Sequence, residues 1–140
     1  MSLDYEKIVS IILKKEDYII LSYLFGSYAR GDMNSLSDLD VGVLYAPEID
    51  SHIKYENRLK LMGELASACK INKIDIIDMG KSSVLLNYNI IKQGKILKSL
   101  DENKRIKFET RIISRYLDEK FHIERHNTLA LKSIALRGLV

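Results

Sequence analysis

The sequence predicts an α/β fold of the α+β kind: a small mixed β-sheet flanked by helices. Three observations carry that expectation. Short runs rich in β-branched and aromatic residues, 18–25, 39–46 and 73–79, read as strands. Longer segments between and after them repeat apolar residues at helical spacing. Gly, Pro, Asn and Asp punctuate the joins. The resulting order of helix, strand, strand, helix, strand, helix, helix packs helices against one sheet.

Each element has its own signal. Asp4 caps a first helix from Tyr5 to about Lys15, with Ile8, Ile11 and Ile12 on one stripe. Tyr18 to Phe25 is a buried strand ending at Gly26. Residues 26–37 are turn-rich, with Gly31, Asp32, Asn34 and Ser35. Leu39 to Ala46 is a second strand, stopped by Pro47. A helix follows from His52 to Lys70, where Tyr55, Leu59, Met62, Ala66 and Cys69 recur at helical spacing with Leu65 alongside. Lys73 to Met79 is the third strand. Ser83 starts a helix to Gln93, ended by Gly94. A short fourth strand over Lys95 to Leu97 is compatible with the sequence. Glu102 to Phe121 reads as a long helix with Ile106, Ile113, Tyr116 and Leu117 inward. From His122 to Val140 no clean period emerges from Leu129, Leu131, Ile134 and Leu136. These signals divide the chain into a domain at 1–121 and a tail at 122–140 belonging to the same domain.

Composition narrows the function classes. The chain has 140 residues, 46% hydrophobic and 29% charged, which suits one globular domain with one core and argues against disorder. Cys69 is the single cysteine, so no internal disulfide forms and a reducing compartment is expected, with Cys69 a core thiol. No apolar run approaches the roughly 20 residues that span a bilayer, and Asp4 and Glu6 stand where a signal peptide is basic. A cytoplasmic protein without membrane contact is the expectation. The net charge of +3 is spread along the chain, short of a nucleic-acid footprint. With neither a basic and aromatic track nor a GxxxxGK[ST] loop, strand polymerisation and P-loop chemistry are not expected. His52, His122 and His126 read as surface histidines. A homo-oligomer stays open.

The chemistry concentrates in residues 26–40. A strand ends in Gly26-Ser27, a turn that lets backbone approach a ligand. A helical turn after it would offer free N–H groups to an anion, with the Ser27 hydroxyl and Arg30 as further phosphate partners. Taken alone, Gly-Ser is a common turn. Asp38 and Asp40 flank Leu39 at a strand start, so period two points both carboxylates the same way. Crowded like charges are tolerated when a cation sits between them, and hard oxygens suit Mg²⁺ or Mn²⁺. Gly42, next on that face, is expected to leave room. Two solvated aspartates at a strand end are the plain alternative. Asp75 interrupts an apolar strand, where a buried carboxylate is costly unless paired or metal-bound. Asp78 faces the other way and is expected to meet solvent. A phosphate cradle beside paired acids, with a third acid on another strand, is the layout of two-metal phosphoryl chemistry. Tyr28 can stack on a base or pack internally.

Gly26-Ser27, ten residues, then Asp38-Leu39-Asp40 resembles the signature of the polymerase β-like nucleotidyltransferase superfamily. The compact Gly-Ser-Tyr-Ala-Arg-Gly and Ser-Asp-Leu-Asp form is similar to the minimal nucleotidyltransferases of prokaryotes. Residues 86–97 resemble the MntA antitoxin group within them. The resemblance covers about residues 5–120. It implies the polymerase β-like fold, with Asp38, Asp40 and Asp75 as metal ligands and catalytic acids. It implies that Gly26, Ser27, Arg30 and Ser37 contact the nucleotide. It further implies two Mg²⁺ ions, ATP as substrate and AMP transfer to a tyrosine of a HepT-type toxin. A small-molecule nucleotidyltransferase of the aminoglycoside type, or an antitoxin that binds its toxin without catalysis, are the alternatives.

Overall fold

The computed structural model describes residues 4–138, so residues 1–3 of the predicted domain and 139–140 of the predicted tail lie outside the described residues. The elements run α1 (Tyr5–Lys14), β1 (Ile19–Phe25), α2 (Ser27–Arg30), β2 (Leu39–Tyr45), α3 (Ser51–Cys69), β3 (Ile74–Asp78), α4 (Val84–Gln93), β4 (Lys95–Ser99) and α5 (Glu102–Gly138). The strands form one sheet in the order β3-β2-β1-β4. β1 is antiparallel to both β2 and β4, whereas β2 and β3 are parallel. That last pairing follows from connectivity: α3 carries the chain back, as a parallel pair requires. The predicted mixed sheet is therefore present, and β4 completes its second edge.

Caps fix where the helices begin. The Asp4, Asp50 and Ser83 side chains accept hydrogen bonds from the N–H groups of Lys7, Ile53 and Leu86. α3 thus opens one residue before the predicted start. It ends at Lys70, whose φ of 57° is left-handed.

The sheet carries a hydrophobic cluster on each face. On one, Leu24, Leu39, Val41, Val43, Ile74 and Ile76 pack with Val9 and Leu13 of α1 and Leu61, Leu65 and Cys69 of α3. On the other, Leu21 and Tyr23 pack with Met79, Ile90 of α4, and Phe108 and Ile112 of α5. Several inward assignments shift by a stripe. Ile11 is 49% exposed while Val9 and Leu13 are buried; Tyr55 and Leu59 are half exposed while Leu61 is buried; Ile106, Ile113 and Leu117 face out while Phe108 and Ile112 face in. Each of these helices offers two adjacent apolar stripes, and spacing alone does not say which one meets the sheet. Tyr116 keeps an inner place by stacking on Tyr88 of α4, ring centroids 3.8 Å apart.

Two polar networks fasten the layers. The Tyr23 hydroxyl donates to Glu109 at 2.5 Å, and Arg105 brackets Glu109 from within α5. Burial, and then the bond to Glu109, push the Tyr23 phenol far above its usual range. Between β4, α3 and the turn before β1, Glu16 is buried although charged. It accepts a 2.8 Å hydrogen bond from the Asn57 amide, while Lys98 donates to its backbone carbonyl at 2.6 Å. Asn57 occupies an inward position of α3 because Glu16 waits there.

The C-terminal half of α5 departs most from the sequence reading. Where no period was legible after Phe121, the structure continues one unbroken 37-residue helix. The side chains from Leu117 to Leu136 are exposed. Among the described residues none packs on this stretch, so no single stripe is selected and no period is written into it.

Removing the Asn57 amide leaves the Glu16 carboxylate buried with its best donor gone. Asn57→Ala is expected to destabilise the fold by about 2 kcal/mol, read as a lower urea midpoint at unchanged slope. An unaltered midpoint would show that the bond contributes nothing.

Candidate active site

Register brings the motif together. The last residue of β1, Phe25, pairs with Asp40 on β2. The Gly26-Ser27 turn is therefore next to the paired aspartates. Gly26 has φ 74°, and a Cβ there would fall onto the Asp40 carboxylate. A left-handed backbone and a close approach both demand glycine at this position. Ser27 begins α2, a single turn in which the Ala29 and Arg30 N–H groups donate to the Gly26 carbonyl and Gly31 closes the end at φ 82°. The first N–H groups of such a turn have no intrahelical acceptor and point outward.

The loop from Gly31 to Ser37 aims Asp38. Asn34 organises it: its side-chain oxygen accepts from the Leu36 N–H at 2.8 Å, and its own N–H donates to Ser37 Oγ at 2.9 Å. The Ser37 hydroxyl, expected from the resemblance to meet nucleotide, thus serves the turn as an acceptor and retains its own proton to donate. Arg30 is exposed and reaches Asp32 at 3.2 Å. Such an exposed pair is weak, so the guanidinium is free to turn elsewhere.

The three acids meet at one end of the sheet. Asp38 and Asp40 alternate with buried Leu39, and the parallel register sets Asp40 beside Asp75. Asp40 is half-buried and its carboxyl is pushed up to about 6, by burial first and then by the negative charges of Asp75 and Asp38; Arg30 pulls the other way. Asp75 is exposed, contrary to the expectation of a buried carboxylate. β3 is the edge strand, and Asp75 lies on the face opposite buried Ile74 and Ile76, where it is left to solvent. The register, rather than a desolvation cost, is what brings Asp75 to Asp40. Asp78 points to the opposite face as predicted, yet solvent does not simply satisfy it. Lys54 pairs with it at 3.6 Å and it accepts from the Gly80 N–H at 2.9 Å. Gly42 likewise leaves no room for a ligand: a Cβ there would lie 3.0 Å from the Met79 sulfur, so the glycine admits Met79 and Ile90 to the core.

Sequence reasoning missed the flank of this site. Tyr28 packs edge-on against Tyr5, centroids 4.8 Å apart. Beside them a groove of about 460 Å³ is lined by Tyr5, Tyr28, Asn34, Ser37, Lys70 and Lys73. Its wall includes two lysines brought close by the left-handed turn at Lys70, a contact that no local pattern encodes.

A divalent cation fits this donor set. Among the described residues no three carboxylate, imidazole or thiol groups form a ready-made cage. Mg²⁺ is seldom held by an all-protein cage; one or two carboxylates, waters and substrate phosphates share it. Adjacent aspartates, one with its carboxyl raised by burial and then by its neighbours' charge, would supply that partial shell.

The raised Asp40 carboxyl sets a pH signature in metal-free buffer. Its folded value of about 6 exceeds the ordinary 3.8, so its contribution to stability is full below the lower value and is lost as pH rises through the higher. Asp40→Asn is expected to melt roughly 2–4 °C above the parent at pH 8, with the gap closing toward pH 4. The partial exposure of Asp40 keeps this gain small. Equal melting at pH 8 would mean that neither burial nor the neighbouring carboxylates disfavour the Asp40 charge.

With this geometry in hand, comparison with known proteins is informative. Residues 6–103 match the family described as polymerase beta, nucleotidyltransferase. The protein adenylyltransferase MntA of Shewanella oneidensis is 31% identical over 114 residues, covering 81% of this chain and 78% of that protein. A crystal structure of a toxin–antitoxin with AMP-PNP is similar at 30% identity and a TM-score of 0.65, covering 91% of this chain and 96% of that one. The tri-AMPylated Shewanella oneidensis HEPN toxin in complex with its MNT antitoxin gives 28% identity and a TM-score of 0.61, covering 89% and 92%. The small mixed sheet is thus a nucleotidyltransferase fold, and the chain belongs to the polymerase beta nucleotidyltransferase family, in the company of the MntA protein adenylyltransferases.

Proposed function

We propose that this chain is a metal-dependent protein adenylyltransferase that moves AMP from ATP to a tyrosine hydroxyl of a HepT-type toxin, and so acts as the antitoxin of a pair. The carrying observation is the register that gathers Gly26-Ser27, Asp38 and Asp40, and Asp75 at one end of the sheet. Family membership and the AMPylated toxin bound to a related antitoxin support the same reading. We assign the reaction to the cytoplasm, where ATP is abundant and a lone thiol such as Cys69 stays reduced.

In this reading Ser27, the opening N–H groups of α2 and Arg30 hold the triphosphate, and Ser37 donates its remaining proton to it. Asp38, Asp40 and Asp75 would hold the divalent cations, two Mg²⁺ or Mn²⁺. When bound, these ions neutralise triphosphate charge and acidify the acceptor hydroxyl. The acceptor oxygen forms a bond to the α-phosphorus as the bond to the bridging oxygen breaks, and pyrophosphate leaves. In this reading Asp75 takes the phenol proton and passes it to solvent, which its exposure supports. A tyrosine suits this site because its pKa near 10 requires only modest lowering.

The test is intact-mass analysis of a HEPN-type toxin incubated with the chain, ATP and Mg²⁺. The parent is expected to add AMP residues to the toxin. Asp38→Asn and Asp40→Asn are each expected to slow transfer by about 10²-fold or more while remaining folded. Ser27→Ala is expected to raise KM for ATP. Full transfer by both aspartate variants would remove the metal site. Label on a small molecule in place of the toxin would remove the protein acceptor.

A further inference from the structure

α5 ascends the sheet in the direction of β1. Lys104 and Arg105 lie by Ile20 and Leu21, and Glu109 meets Tyr23 further on. Phe108 and Ile112 fill the core beneath, and Tyr116 stacks on Tyr88. β1 ends at Phe25, beside Asp40. The helix therefore leaves the domain at the end of the sheet where the three aspartates stand. Residues 117–136 extend beyond Tyr116 for about 30 Å at 1.5 Å per residue, with every side chain exposed.

This stretch is poorly suited to water. Leu117, Phe121, Ile123, Leu129, Leu131, Ile134 and Leu136 are 54–74% exposed. At 100° per residue, Leu117 and Phe121 share one side with Leu131, Ile123 and Ile134 share a second, and Leu129 and Leu136 share a third. Most helix stability in proteins comes from packing an apolar face, and a helix apolar on several sides belongs inside something. Its charges balance, with Asp118, Glu119 and Glu124 against Lys120, Arg125 and Lys132. Apolar burial, and not charge, is therefore what a partner would read.

We propose that residues 117–136 of α5 are a docking arm, seated in an apolar groove between helices of the acceptor protein, that brings the acceptor's tyrosine to the aspartates. This rests on the functional reading above. The position of the arm selects the occupant. It emerges at the end of the sheet that carries the carboxylates, and the one macromolecule that must come to that end is the acceptor. The three-sided apolar surface calls for a groove that embraces the helix, which a flat face would not provide.

The experiment compares the parent with Phe121→Asp/Leu131→Asp and with Leu129→Asp/Leu136→Asp, two variants on different sides of the arm. Complex formation with a HEPN-type toxin is followed by size exclusion with light scattering, AMP transfer by intact mass, and nucleotide affinity by AMP-PNP titration with Mg²⁺. Asp38→Asn serves as the inactive control. At least one variant pair is expected to bind toxin tenfold or more weakly and to transfer AMP correspondingly slowly, with unchanged AMP-PNP affinity and melting temperature. Asp38→Asn is expected to keep the complex and lose the transfer. If the parent binds toxin but transfers nothing, the reaction assigned above falls, and the arm is still decided by whether the aspartate pairs lose the complex. Parental binding by both pairs overturns the arm, as does a parent that forms no complex. A parental dimer that becomes monomeric only in the variants, with toxin handling intact, overturns it too and assigns the arm to a second copy of the chain.

Discussion

Everything at the site depends on strand register. β2 has Gly26 of the β1 turn on one side and Asp75 of β3 on the other, and Asp40 is the residue that touches both relationships. A slip of one residue in either pairing would turn Asp40 to the α1 and α3 face, against Leu61 and Leu65, and send Leu39 and Val41 to the other face. The core enforces the register, because the alternation of Leu39, Val41 and Val43 into one cluster and Gly42 toward Met79 and Ile90 in the other leaves no second solution. Packing far from the acids thus sets the distance between them.

The same constraint gathers charge at a cost. Asp40 is half-buried beside two further carboxylates, and burial first, then their repulsion, leave it with a carboxyl that resists ionisation. The strain persists because it is local, opposed in part by Arg30 and relieved by the water around Asp38 and Asp75. Glu16 shows the opposite arrangement. It is more deeply buried than Asp40, yet the Asn57 amide donates to it and Lys60 lies 3.9 Å away. One buried acid fastens the fold, and the other sits where a cation would complete it.

How much of this was legible in the sequence divides by the range of the forces involved. The strands, the caps at Asp4 and Ser83 and the pairing of Asp38 with Asp40 on one face are local, and a periodicity argument reaches them. Stripe choice in α1, α3 and α5 is decided by what lies opposite, so Ile11, Leu59 and Ile106 were misplaced toward the core. Asp75 was picked out for a reason that the structure replaces. The sequence reads Asp75 as a carboxylate buried within an apolar strand, but β3 is an edge, and edge position depends on the whole strand order. Gly42 was read as open space because a sequence does not show Met79 folding back over it. The groove at Lys70 and Lys73 needed the left-handed turn after α3, which non-glycine residues seldom announce.

The unreadable stretch after Phe121 is informative for the same reason. Periodicity is the imprint of a fixed partner on a helix, and it is sharp in β2, where both neighbours belong to the same chain. In residues 117–136 apolar side chains are spread around the helix and no stripe dominates. A pattern of this kind is what remains when a helix is written for surroundings on several sides, none of which lies within its own fold. The domain that holds the acids together and the helix that leaves it obey one rule: each segment's sequence is periodic to the extent that its partner is the chain itself.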